Sequence, residues 1–140
     1  MRRFQIAATL AAVALAGPAL AQDDAPAPGL SVELNAAQDG PGGCTLSFVI
    51  DNGRDDDVAK AVYETVLFDT DGQVERLTLF DFGTLPAGRP RVRQFTLPDT
   101  SCGDIGRILV NGASTCEAAE EGACMAGLTL SSRTGIEVVG

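Results

Sequence analysis

The sequence predicts an all-β domain, an immunoglobulin-like antiparallel β-sandwich of about seven strands closed by two disulfides. Three observations predict it. Short stretches in which apolar and polar residues alternate recur from Leu30 to Val139, and helical periodicity is absent there. Turn signals rich in Gly, Pro and Asp separate these stretches at the spacing of a sandwich. Four cysteines, Cys44, Cys102, Cys116 and Cys124, lie in the same region, and an even number in an exported chain reads as a disulfide framework. A small barrel is the runner-up architecture.

The chain begins with a targeting pattern. Arg2 and Arg3 form a positive start, Phe4 to Ala16 is apolar, and Ala19-Leu20-Ala21 has the small-x-small form of a signal-peptidase site. Residues 1–21 are therefore expected to be a signal peptide. The apolar run is shorter than the roughly 20 residues of a spanning helix, so no stable membrane anchor is expected after cleavage. Arg2-Arg3 is followed directly by Phe4, an incomplete form of the twin-Arg export motif. Residues 22–29, rich in Pro and Ala, read as a flexible linker, and residues 30–140 as the sandwich domain. Loss of the two arginines takes the net charge from −9 to −11, because every acidic residue lies beyond the cut. A field of that sign argues against nucleic acid as a partner.

The strands follow in order. Leu30, Val32 and Leu34 alternate with Ser31, Glu33 and Asn35, a half-buried first strand, and Ala36 to Gly43 reads as a turn. Cys44 to Asp51 is the clearest strand, with Leu46, Phe48 and Ile50 on one face. Asn52 to Asp57 reads as an acidic loop. Val58 to Asp69 is apolar on both faces, which marks a central strand, and its Glu64 needs either an edge or a partner. Asp71-Gly72 is a hairpin turn leading into Val74–Phe82, where Leu77 and Leu79 oppose Thr78, Phe80 and Phe82. Pro86-Ala87-Gly88 makes a crossing to Arg91–Leu97. There Val92 and Phe95 have opposite parity, so a bulge is expected between them. Ile105 to Val110 forms the next strand, and Asn111 to Cys116 is expected to leave the sheet. Leu128–Ser132 and Ile136–Val139 form a last strand or a terminal pair, broken near Thr134-Gly135.

Strand direction predicts the cysteine pairing. Cys44 opens the second strand at the end where Cys102 follows the fifth. Cys116 and Cys124 lie at the opposite end. The pairs are then Cys44–Cys102 and Cys116–Cys124, since other pairings exceed the roughly 7 Å Cα reach of a bridge. A zinc site is disfavoured by the absence of histidine and of C-x-x-C spacing.

Candidate chemistry is sparse. With no histidine and with the thiols paired, a carboxylate pair is the one acid–base option left. No catalytic residue, cofactor or metal ligand is assigned. Two acidic groups were weighed as calcium ligands: Asp69, Asp71 and Glu75 around Gly72, and Asp51 with Asp55, Asp56 and Asp57. The plainer readings are a polar hairpin turn for the first and a solvated loop for the second. Arg89, Arg91 and Arg93 hold three of the eight basic residues beyond the cut. They are the candidate partner-binding residues, with pairing to Glu64 or Glu75 and protection of a sheet edge as the plainer explanations. The acidic loop Cys116–Cys124 lacks the aromatic anchors of a binding hot spot.

The segments VLFDTDG (66–72), LTLFDF (77–82), LPAGRPRVRQF (85–95) and CGDIGR (102–107) behind a signal peptide resemble short secreted bacterial proteins. Those are labelled "Tat pathway signal sequence domain protein". The order strand, Asp-Gly hairpin, Pro-Ala-Gly turn, strand is more loosely similar to extracellular immunoglobulin-like modules of the FxLYD kind. The resemblance implies export and carries no activity. The expectation is an exported, non-catalytic binding domain of the bacterial envelope, periplasmic or secreted, whose partner is another envelope or extracellular protein. The alternative is a structural accessory protein without a defined ligand, and a carboxylate-dependent hydrolase stands third.

Overall fold

Val58–Asp69 has apolar residues on both faces, the pattern expected of a strand inside a sheet with neighbours on each side. The computed structural model, which describes Gly17 and residues 28–140, places it there. The expected signal peptide and most of the linker lie outside the described residues. In chain order the strands are β1 (Leu30–Gly40), β2 (Gly43–Asn52), β3 (Val58–Asp69), β4 (Val74–Leu85), β5 (Arg91–Leu97), β6 (Ile105–Ala118), β7 (Thr129–Ser132) and β8 (Glu137–Val139). A single 3-10 turn, Cys102–Asp104, precedes β6. Two four-stranded sheets, ordered β5-β2-β1-β7 and β4-β3-β6-β8, pack as a sandwich around one apolar core. Among the described residues no helix is long and apolar enough to cross a membrane.

The core is centred on aromatic rings. Phe48 of β2 lies 5.4 Å from Phe80 and 5.6 Å from Phe82 across the sandwich, and 6.0 Å from Phe95 on its own sheet. Tyr63 meets Phe82 at 5.5 Å. The buried Tyr63 hydroxyl donates to the Cys124 carbonyl at 2.7 Å, and burial pushes its pKa well above the usual phenol range. Space inside this contact amounts to about 10 Å³. That is the least a single water needs, so the interior is packed core and not a ligand chamber.

Both disulfides form as the strand directions predict, Cys44–Cys102 with Cα atoms 5.0 Å apart and Cys116–Cys124 with 5.9 Å. They sit at opposite ends of the sandwich. Asp39 supports the first by accepting the Cys102 amide at 2.7 Å. Gly43, beside Cys44, has φ 120°, and a β-carbon there would meet the Leu97 carbonyl oxygen at 2.0 Å. Only glycine lets β2 start this close to the end of β5.

The structure differs from the sequence reading in five places. β1 continues past Asn35 to Gly40, with an irregularity between Leu34 and Ala36, and the turn shrinks to Pro41-Gly42. β6 likewise runs on through Asn111–Cys116 instead of leaving the sheet. In both stretches backbone pairing, not burial of side chains, holds the strand, so no apolar alternation marks it. Asn52 ends β2 as a buried residue, its amide donating to the Leu85 and Asp56 carbonyls at 2.8 and 3.0 Å. β5 pairs with β2 in unbroken register from Cys44↔Leu97 to Ile50↔Arg91, so the expected bulge is absent. Val92 simply faces solvent, while Arg93, Phe95 and Leu97 share the inward phase.

The terminal pair is the fifth difference. β7 adds to β1 and β8 adds to β6, each in parallel, whereas the other pairings are antiparallel. Thr134-Gly135 therefore carries the chain from one sheet to the other. Thr134 Oγ1 accepts the Ile136 amide at 3.0 Å, and the Arg133 amide donates to the Leu34 carbonyl at 2.9 Å. Arg133 also donates from Nε to Glu33 at 3.0 Å, and Asn35 donates to the same carboxylate oxygen at 3.1 Å.

Two outcomes are expected. Replacing Cys44 and Cys102 by alanine lowers the unfolding free energy by about 4 kcal/mol, against about 2.5 kcal/mol for the shorter Cys116–Cys124 loop, because loop entropy grows with length. Urea titration of the two variants measures the difference. The Glu33 carboxyl titrates below its ordinary value of 4.5, first because of the Asn35 hydrogen bond and then because of Arg133. A lowered native pKa makes the stabilisation full above the unfolded-state value and lost as pH falls through the native one. NMR titration should show Asn35→Ala and Arg133→Ala each raising the Glu33 pKa.

Candidate functional site

The two sheets present different outer faces. On β5-β2-β1-β7 the outward side chains form polar cross-strand pairs: Thr45 with Thr96 at 2.9 Å, and Gln94 donating to Ser47 at 2.9 Å. One apolar pair, Val49↔Val92, lies among them. On β4-β3-β6-β8 one apolar row crosses all four strands of the outer face. In register, Val66 of β3 sits between Leu77 of β4 and Leu109 of β6, and Leu109 sits beside Val139 of β8. Leu77 is 62% exposed and Leu79 58% exposed.

Local sequence explains this face. Tyr63, Thr65 and Leu67 of β3 face Phe80, Thr78 and Arg76 of β4 on the inner side. Period-two alternation then turns Val62, Glu64, Val66, Leu77 and Leu79 outward. Val62 and Val66 are buried yet stand apart from the central core, covered by neighbours on this face alone. Glu64, Leu77, Thr78 and Leu79 line a shallow open depression of about 450 Å³. The Glu64 expectation is met by a partner: Asn111 of β6 donates to its carboxylate at 2.7 Å. Lys60 and Arg107, the cations flanking the face, are already paired, with Asp81 at 3.8 Å and Glu137 at 3.1 Å.

The three candidate arginines have different surroundings. Arg89 lies in the turn before β5. Arg91 donates to the Pro90 carbonyl at 2.9 Å. Arg93 reaches across to the other sheet, where it donates to the Phe82 carbonyl at 2.7 Å and the Thr84 carbonyl at 3.1 Å of β4. Arg76 makes the reverse crossing, from β4 to the Pro98 carbonyl and Thr100 Oγ1 at 3.0 and 2.7 Å. The side of the sandwich where β4 and β5 form adjacent edges is thus bridged by two arginines. Among the described residues none of Arg89, Arg91 and Arg93 pairs with a carboxylate.

The acidic groups build turns. Asp69 accepts the Asp71 and Gln73 amides, each at 2.9 Å, and Asp57 accepts the Ala87 amide at 2.8 Å. Among the described residues the one close group of ligand-type atoms is Asp39 with Cys44 and Cys102, whose sulfurs are bonded to each other. The Cys116–Cys124 loop is tied down by Tyr63 and by an ion pair between Arg54 and Glu120. Leu77 and Leu79 escaped notice as site residues because an apolar residue in a strand reads as core on either face. The available signal was that β4, like β3, is apolar on both faces. No protein-family model matches the chain, and no match was found among curated proteins or solved structures.

The arginine geometry separates two variants. Arg93→Ala should lower the unfolding free energy by about 1.5–3 kcal/mol, the range for hydrogen bonds to charged groups. Arg89→Ala should stay within about 0.5 kcal/mol, as surface substitutions do. Equal losses by urea titration would count against the bridging role.

Proposed function

We propose that this chain is an exported, immunoglobulin-like binding domain of the periplasm or extracellular space. It holds another envelope or extracellular protein against the outer face of β4-β3-β6-β8. The observation that carries this reading is the apolar row Leu77–Val66–Leu109–Val139, open to solvent at Leu77 and continued by the exposed Leu79. Contiguous apolar surface on a monomer marks an interaction site more often than chance exposure does. The two disulfides support an oxidising compartment. The immunoglobulin-like assignment draws support from β2 lying beside β5 in one sheet while β3 lies beside β6 in the other, the interlocked order of that sandwich class. The parallel additions of β7 and β8 are this chain's departure from it.

The test is site-specific capture. A photo-crosslinking side chain at Leu79 is expected to trap a partner in the native compartment, and the same group at Thr96 on the polar face is not. Leu77→Asp with Leu79→Asp should abolish capture through a cross-linker at Val139 while the urea midpoint holds. Equal capture from positions 79 and 96 would remove the reading and leave a structural accessory role.

A further inference from the structure

The sandwich has four sheet edges, and they are protected unequally. β7 and β8 are short, spanning Thr129–Ser132 and Glu137–Val139. β5 is preceded by Pro90 and carries Arg91 and Arg93. Short strands, proline and charge are the devices that keep an edge from pairing with another chain. β4 is long, and its irregularities of register fall at its two ends. Between them Arg76–Asp81 pairs regularly with Val62–Leu67. Arg93 covers the Phe82 and Thr84 carbonyls, beyond that regular stretch. Among the described residues no backbone hydrogen bond reaches Arg76–Asp81 from the β5 side. The segment is Arg-Leu-Thr-Leu-Phe-Asp, regular and without an edge-blocking residue between Leu77 and Phe80.

We propose that the occupant of the outer face is an extended segment whose alternate residues are apolar and are flanked on the same face by cationic residues, added as a strand along Arg76–Asp81 of β4. The proposal rests on the outer-face reading above and names the kind of partner. Strand addition satisfies the open main-chain groups, and alternate side chains of the added segment then lie beside Leu77 and Leu79 on the outer face. The positions beyond those two fall next to Asp81 in one direction and Glu75 in the other. Glu64 lies between them on β3, held by the neutral Asn111. Lys60 pairs with Asp81 and Arg107 with Glu137, which leaves Glu64 and Glu75 without a cation among the described residues, so the net charge near an incoming strand is negative. A second copy of this chain fits less well. Antiparallel self-pairing that sets Leu77 against Leu79 of the other copy opposes Glu75 to Asp81 twice, and like charges directly opposite destabilise a sheet.

The experiment uses the full chain with capped synthetic peptides. Lys-Thr-Leu-Thr-Leu-Thr-Lys is expected to slow amide hydrogen exchange within Arg76–Asp81. It should bind about tenfold more tightly than Glu-Thr-Leu-Thr-Leu-Thr-Glu, with an advantage that shrinks as salt rises. Leu77→Asp with Leu79→Asp should abolish both effects. Equal affinity for the two peptides, or binding without slowed exchange in β4, overturns the proposal. So does concentration-dependent dimerisation of the peptide-free protein that itself slows exchange there. If cross-linking at Leu79 traps a partner while the cationic peptide fails, the strand-addition proposal falls and the binding face stands. Failure of both removes both.

Discussion

The contact of Phe48 with Phe80 and Phe82 fixes how the two sheets face each other. Phe48 belongs to β2, which has hydrogen-bonded neighbours on both sides, and the two rings opposite come from β4, the edge of the other sheet. Tilted and edge-on ring pairs contribute about 0.5–1.5 kcal/mol each beyond the area they bury. More important is their position. Phe95 stacks on Phe80 at 4.5 Å, which ties the edge strand β5 to the edge strand β4. With those rings in place, the polar ends of Arg93 and Arg76 emerge at the side of the sandwich. The Arg93 guanidinium meets the Phe82 and Thr84 carbonyls of β4, and that of Arg76 meets the Pro98 carbonyl just past β5. The aromatic contact is thus the reason an arginine can occupy the inward phase of β5.

Legibility in the sequence tracked burial. β2 was readable because one of its faces is core and the other is wet, and β3 because both faces are covered. Asn35–Gly40 and Asn111–Ala118 were not readable as strand. Their side chains bury little, and the backbone is held by β2 and by β3 respectively. Disulfide pairing was readable because it depends only on which end of the sandwich each cysteine reaches. The parallel addition of β7 and β8 was not, since period-two alternation carries no information about direction.

The candidate site shows the same limit from the other side. Arg89, Arg91 and Arg93 stood out in an acidic chain, and charge clustering suggested a partner. In the fold Arg93 is engaged by the Phe82 and Thr84 carbonyls of the neighbouring edge strand. Leu77 and Leu79 did not stand out, although their opposition to Phe80 and Phe82 was plain. Which of two apolar faces of a strand is covered is decided by whether another layer lies over it, and here none of the described residues does so over Leu77 and Leu79.

Solubility alone would favour two polar outer faces, and the β5-β2-β1-β7 sheet has nearly that arrangement, with hydroxyl and amide pairs across its strands. The other sheet keeps an apolar row and places carboxylates around it, at Glu64, Glu75 and Asp81. This arrangement has two physical consequences. Like charge around the row discourages two copies of an acidic chain from meeting through it, so the exposed leucines need not drive self-association. On the proposed reading the same field would draw a cationic segment toward the β4 edge, where the regular register of Arg76–Asp81 would offer it a main-chain template. If the proposal holds, such an edge would select its occupant by sign before side-chain fit matters.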